Sequence, residues 1–295
     1  MFGAIEAGGT KFVCATRGPG EKLHRKTVIP TRDPDATFAE VAAFFHDAAP
    51  DGLTAMGIGS FGPIDLDAGS ATFGRILATP KSGWQGADIL ARVRAFADVP
   101  MAIDTDVNAA ALAEAAQATG AASRNLAYVT IGTGIGVGLV LDGRTVHGTA
   151  HPEMGHMLVR RHPGQGDYPG FCPYHGDCLE GLAAGPAVIG AFGTSADKLP
   201  ADHPFWDVQA FYIAQLCMNL FLTTAPERIV LGGGVMQQTR LFPLIRTRTA
   251  ELLAGYVTGI SDAASLETRI VPPTGGEAPG LIGALLLAER LSAGS

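Results

Sequence analysis

Apolar residues repeat along the chain with two periods. In "FGAIEA" and "TKFVCAT" (residues 2–7 and 10–16) they run in short apolar stretches that read as strands. The "GG" at 8–9 predicts a turn between them. From Pro34 the period lengthens, and Phe38, Val41, Phe44 and Phe45 fall on one side of a helix over 34–48 that opens on Asp33-Pro34. "LTAMGIGSFGPID" predicts a buried strand running into a Gly/Pro loop. Residues 86–99 predict a helix with Ile89, Leu90, Val93 and Phe96 on one face. "PMAIDTD" follows as a short strand, then a helix from Val107 closed by Gly120.

The second half has the same texture. "LAYVTIGTGIGVGLVLDGRTVHG" predicts two or three strands with Asp142-Gly143 as a type I′ turn. After a loop over 151–181, "PAVIGAFG" and "VQAFYIAQLCMNLFLTTA" predict helices, and "ERIVLGGGVM" a strand ending in three glycines. "LFPLIRTRTAELLAGY" predicts a helix, "TRIVPP" a short strand, and "APGLIGALLLAERLSA" a closing helix. The strand–Gly/Thr turn–strand pattern that starts at Ala4 recurs from Ala127, which points to a duplicated α/β domain.

Composition narrows the function classes. With 47% hydrophobic and 17% charged residues, the chain reads as globular rather than disordered. A net charge of −7 argues against a nucleic-acid or anionic-membrane partner. Four cysteines in 295 residues fit a reducing compartment, not a disulfide framework. The N-terminus lacks a basic n-region and a long apolar h-region, and runs such as "LIGALLLA" fall short of the roughly 20 residues that span a bilayer. The expectation is a cytoplasmic protein.

Three glycine loops are candidates for phosphate or nucleoside binding, because backbone amides in such turns converge on an anion with no Cβ in the way. The first holds Gly9, Thr10 and Lys11, the second Thr133, and the third, after a strand, Gly233 and Gly234. No GxxxxGK[ST] is present, and "GTGIGVG" has Val137 where GxGxxG needs glycine and leads into a strand rather than a helix. A nucleotide site of another architecture is the remaining reading.

Asp104 and Asp106 lie where a strand gives way to a helix, the end of an α/β strand at which ligands bind. A carboxylate there can accept a proton from a hydroxyl attacking a γ-phosphate, or can simply cap the helix. Being two residues apart on one strand, the pair is not separated by side-chain alternation. Cys172-x2-His175-x2-Cys178 has metal-ligand spacing within a loop short of large apolar residues. His156 is the candidate fourth ligand, with His151 and His162 as competitors. A closed Cys2His2 set points to structural zinc, and Glu153 and Glu180 flank the loop as candidates for binding sugar hydroxyls.

Taken together, "EAGGTKF", "SFGPID", "TPKSGW", "DTDVNAAALAE", "IGTGIGVG", "HPEMGH", "CPYHGDCLEGLAAGPA" and "APERIVLGGGVM" resemble the ROK family of bacterial sugar kinases, in particular its zinc-containing fructokinases. The resemblance runs from Gly3 to about Leu291. It implies an α/β protein of the actin-like ATPase (ribonuclease H-like) fold, with two duplicated α/β domains around a cleft. These would be a small domain of residues 1–106 plus 280–295, with the returning last helix, and a larger one of 107–279 carrying the zinc loop.

The resemblance makes Asp106 the general base. It places Asn108, Glu153, His156 and Glu180 at sugar-binding positions, with His156 also a zinc ligand beside Cys172, His175 and Cys178. Gly9, Thr10, Lys11 and Thr133 match the phosphate loops, and Pro186, Gly233, Gly234 and Met236 the nucleoside side. The expected partners are ATP with Mg²⁺ and a hexose, fructose by subtype, in a homodimer. The chain departs from many members at Glu6, where they carry Asp. Glucokinase, mannokinase or broad hexokinase activity is the alternative. A sugar-responsive repressor is disfavoured, since the first strand starts at residue 2 with no preceding helix-turn-helix.

Overall fold

The structure, a computed structural model, describes residues 1–275 and 278–293. Residues 276 and 277 of the expected larger domain, and 294 and 295 of the expected returning helix, lie outside the described residues. In chain order the first half forms β1 (Phe2–Ala7), β2 (Lys11–Arg17), β3 (Leu23–Pro30), α1 (Pro34–Ala48), β4 (Ala55–Ser60), α2 (Ile89–Arg94), β5 (Met101–Thr105) and α3 (Asp106–Gln117). There follow β6 (Leu126–Ile131), β7 (Ile135–Leu141), β8 (Arg144–Thr145), α4 (Leu179–Ala183), α5 (Gly185–Phe192) and α6 (Phe205–Thr223). The chain ends with β9 (Arg228–Gly232), α7 (Leu241–Leu253), β10 (Ile270–Val271) and α8 (Pro279–Ala293).

Two compact units result. One comprises Met1–Ala116, Thr145–Pro152 and the chain from Gly275 onward; the other Gln117–Arg144 and Glu153–Thr274. Each is built on a five-stranded mixed sheet, ordered β3-β2-β1-β4-β5 in the first and β10-β9-β6-β7-β8 in the second. In each, a first antiparallel hairpin (β1–β2, β6–β7) is joined by a parallel strand beside its first member (β4, β9). The two sheets are thus the same topology traced twice, as the repeated turn pattern predicts.

The first sheet is covered on both faces, which is why its strands read as unbroken apolar runs. Ile5, Ala7, Phe12 and Cys14 point into one cluster with Phe38, Val41 and Phe45 of α1 and Ile89, Leu90 and Val93 of α2. The alternate positions Phe2, Ala4, Val13 and Ala15 pack on Leu281, Ala284, Leu285 and Ala288 of α8. Trp84 is fully buried among Phe12, Phe38 and Phe61, and its Nε1–H donates to the Arg32 carbonyl at 2.7 Å. Truncating such a ring to alanine costs about 3–5 kcal/mol, so "TPKSGW" has a packing role at its last residue. In the second unit α6 is buried on most sides, through Phe205, Tyr212, Ile213, Leu216 and Leu220, and packs along α7.

Four local features differ from the periodic reading. β3 carries little apolar signal because only Ile29 is buried on this edge strand. The helix expected over 86–99 contracts to α2: Asp88 caps it through the Ala91 N–H at 2.8 Å. Asp88 also bridges to Arg75, and residues 82–86 before it form turns, with Gly86 at φ +80°. α3 ends at Gln117, and Gly120 (φ +64°) instead opens a short 3-10 turn over Gly120–Ser123. The 151–181 loop contains helical turns at Met154–His156 and Pro163–Gln165 and ends in α4. The Asp142-Gly143 turn has both φ values positive (51° and 79°), as type I′ requires.

Candidate active site

In the first unit the site grows from the junction of β5 and α3. The Asn108 N–H donates to Thr105 Oγ1 at 3.0 Å, so Thr105 acts as the cap and Asp106 is the first helical residue. The expectation that the helix starts at Val107 is corrected accordingly, because the threonine hydroxyl closes the turn one residue earlier.

Asp104 and Asp106 are treated differently by their surroundings. Asp104 is buried, and its Oδ1 accepts from the Thr105 N–H (2.7 Å), Asn108 Nδ2 (2.8 Å) and His147 Nε2 (3.0 Å). Asp106 is half-buried and accepts the Val107 N–H at 2.9 Å in the first turn of α3, where free amides favour negative charge. Asp104 holds the His147 imidazole above its ordinary pKa, chiefly through their hydrogen bond, against the opposing effect of burial. His151 is buried and uses Nε2 to accept the Ile64 N–H at 3.2 Å, and burial pushes its pKa down. That bond fastens the Thr145–Pro152 segment and removes His151 from the candidate metal ligands.

The β1–β2 turn is closed by its own backbone. The Gly8 N–H donates to the Lys11 carbonyl at 3.0 Å, the Thr31 N–H to that of Thr10 at 2.9 Å, and the Thr31 hydroxyl to that of Gly8 at 2.7 Å. Gly9, Thr10 and Lys11 are left exposed at the tip. Behind them Glu6 is pushed up by burial, while Lys11 and the Leu281 N–H at the start of α8 oppose that shift. Its Oε2 is buried and has no hydrogen-bond partner among the described residues.

In the second unit the β6–β7 turn, the start of α5 and the end of β9 come together. The Gly132 N–H donates to the Gly134 carbonyl (2.9 Å), and the Gly185 N–H to that of Gly132 (2.7 Å). A Cβ on Gly132 would lie 4.0 Å from the Gly234 nitrogen. Exposed Thr133, the first turn of α5 with Pro186, and Gly233-Gly234 are therefore neighbours, whereas Met236 points its side chain into the interior. At the start of α5 the Gly185 N–H is spent on Gly132 and Pro186 has none to offer, so any anion here would rest mainly on the amides of the glycine turns.

Glu180 in α4 reaches the same turn from the other side. Its Oε2 accepts the Ile135 N–H at 2.9 Å, and a Cβ on Gly134 would sit 2.6 Å from that oxygen, so a side chain there would displace the carboxylate. Glu153 is pushed up to about 7, first by burial and then by the charge of Glu180.

The His/Cys loop brings His156, Cys172, His175 and Cys178 together, with all ligand atoms within 4.8 Å of one another. Cys172 Sγ lies 3.6 Å from His156 Nδ1 and 3.7 Å from His175 Nδ1, and Cys178 Sγ is 3.5 Å from His156 Nδ1. A tetrahedral zinc with ordinary bond lengths separates S and N ligands by about 3.5 Å, so the set fits such an ion. Burial, with the Cys172 thiol adding to it, pushes Cys178 up to about 11; a divalent cation here would reverse that by favouring thiolate. Gly181 closes the loop, since a Cβ there would lie 1.9 Å from the Gly176 carbonyl oxygen. His162, the other competitor, is instead engaged with Asp207 at 3.1 Å.

The residue that sequence reasoning passed over is His147. It stands at the end of the second hairpin pattern, outside the His/Cys loop, and only its position in "VHGTAHPEMGH", four residues before His151, hinted at a shared role.

A sugar-kinase class is what this duplicated fold and these loops resemble, and the comparisons agree: the chain belongs to the ROK family, whose model matches residues 2–291. It is 43% identical to a fructokinase of Pediococcus pentosaceus, over 98% of each chain. It is 40% identical to a fructokinase of Zymomonas mobilis, over 98% of this chain and 96% of that one. Among solved structures it is similar to the ROK hexokinase from Thermus thermophilus, at 25% identity and a TM-score of 0.76, covering 100% and 99% of the two chains. Among the described residues no helix is long and apolar enough to cross a membrane.

Proposed function

We propose that this chain is a fructokinase that transfers the γ-phosphoryl group of ATP to the 6-hydroxyl of D-fructose. The observation that carries this reading is similarity over nearly the whole chain to two fructokinases at 40–43% identity. The site residues support it. Asp106, at the half-buried start of α3, accepts the hydroxyl proton as that oxygen bonds to the γ-phosphorus and the bond to the ADP oxygen breaks. Asp104 is a poorer base, because three donors already occupy one of its oxygens.

Asn108, Glu153, His156 and Glu180 bind the sugar hydroxyls in this reading. The exposed turn of Gly9, Thr10 and Lys11 and the turn of Thr133 bind phosphate oxygens. Pro186, Gly233, Gly234 and Met236 form the nucleoside side. Mg²⁺ accompanies ATP and neutralises charge on the phosphates, and the unpartnered buried Oε2 of Glu6 is an oxygen suited to its hydration shell. His156, Cys172, His175 and Cys178 would hold a zinc with all four positions filled by protein, and it would serve to keep His156 and, two residues beyond Cys178, Glu180 in place.

A broader hexose specificity is the second reading, favoured by the likeness to a hexokinase of the same fold. Coupled ADP-release assays across fructose, mannose, glucose and N-acetylmannosamine separate the two. The fructokinase reading expects the highest kcat/KM with fructose, and a higher value with glucose would reject the subtype while keeping the kinase.

A further inference from the structure

His147 lies outside every motif assigned above, yet it touches the group that organises the first turn of α3. Its Nε2–H donates to Asp104 Oδ1 at 3.0 Å, on the same oxygen that takes Asn108 Nδ2 at 2.8 Å, and Nε2 is 3.4 Å from that amide nitrogen. Asn108 is wholly buried and Asp104 nearly so, whereas the His147 side chain is 36% exposed. A planar amide whose nitrogen is committed to a carboxylate has the direction of its oxygen fixed as well. The Asp104 contact therefore sets which end of Asn108 a ligand meets. Asp104 is in turn a buried acid that pairs with the His147 ring, with His151 also feeling its charge, and a buried charge that loses a partner is costly.

We propose that His147 is a positioning residue for phosphoryl transfer, acting through Asp104 to hold Asn108, and the turn that begins at Asp106, in the orientation that receives the sugar hydroxyl. This rests on the kinase reading above. The titratable groups around the ring are Asp104 of β5 and His151 of its own segment; the first raises its pKa, and desolvation opposes. Asn108 of α3 is the polar neighbour. The imidazolium form pairs with Asp104 below the raised pKa, and the pairing weakens as pH climbs through it. Residues of the Thr145–Pro152 segment thereby connect sugar binding to a histidine that bonds neither to the metal set nor to the phosphate turns.

The test uses the full-length protein with ATP and fructose, comparing wild type, His147→Ala, His147→Gln and Asp104→Asn by steady-state kinetics, pH profile and thermal midpoint. His147→Ala is expected to lower kcat/KM for fructose roughly 10-fold or more, as small misplacements near reacting groups do, with the ATP KM within about twofold. His147→Gln, whose amide still donates to Asp104 without a charge, should recover part of that loss and show no decline in kcat/KM above the raised histidine pKa. If fructose kinetics and the pH profile of His147→Ala match wild type, the inference is overturned. It is equally overturned if losses for ATP and fructose are alike and follow a fall in thermal midpoint. A wild-type protein without turnover on any hexose rejects the kinase reading instead. The His147 ring titration by NMR then decides the pairing: a raised midpoint that returns to the ordinary value in Asp104→Asn sustains it, and an ordinary midpoint in wild type overturns it.

Discussion

Two pairs of carboxylates stand at equivalent importance in the two units, and their surroundings differ in kind. Asp104 and Asp106 sit where a strand meets a helix, and hydrogen-bond donors gather on them: backbone amides, the Asn108 amide and the His147 ring. Glu153 and Glu180 lie beside a glycine turn, where the Ile135 N–H serves Glu180 and the mutual charge, with burial, lifts Glu153 to about 7. At the first pair the donors are built into the fold and fall mostly on Asp104. The second carries its own repulsion, so an incoming hydroxyl donor would relieve it. The same side-chain chemistry thus meets donors in one place and a second carboxylate in the other.

The comparison is broken most strongly at Asp106. Asp106→Asn keeps the shape and removes the proton acceptor, so kcat is expected to fall by roughly 10²-fold or more with the ATP KM nearly unchanged. Asp104→Asn should show a smaller activity loss and the larger drop in thermal midpoint, because it leaves buried donors without their charged partner. The reverse order would move the base to Asp104.

The next effect lies in the metal loop. Protein purified without added zinc is expected to hold about one equivalent by metal analysis. Cys178→Ser or chelation should raise the fructose KM by about 10-fold or more, since supporting residues of metal sites cost that much when lost. A folded, fully active protein with no bound metal would sink the assignment.

The smallest effect sharpens the comparison through pH. The Glu153 pKa is raised, so its favourable contribution is complete below 4.5 and is lost as pH rises through about 7. Glu153→Gln should therefore stabilise the protein at pH 8 relative to wild type and lose that advantage at pH 5. After discount for partial exposure the difference is on the order of 1 kcal/mol. Thermal midpoints at the two pH values read it directly, and an advantage that grows toward pH 5 would show the sign to be wrong.

Much of this was legible in the order of residues, because the signals are local. The unbroken runs of β1 and β2, the i, i+3, i+4 spacing of Phe38, Val41 and Phe45, and the repeat from Ala4 to Ala127 reflect periods that side-chain geometry imposes within a few residues. The Cys172, His175 and Cys178 spacing is local in the same sense, whereas the choice of His156 over His151 and His162 as their neighbour rests on the fold. What tertiary structure decided is everything that depends on partners distant in sequence. β3 exists because β2 offers an edge to pair with, not because its own pattern demands a strand. His151 is kept out of the His/Cys cluster by the Ile64 amide, 87 residues away along the chain, and His162 by Asp207. Asp104 and Asp106 look alike in the sequence; only the folding of residues 145–152 against β5 and α3 brings the His147 ring to Asp104. Periodicity records which face of an element is buried, whereas a buried charge takes its character from groups that only folding brings within 3 Å.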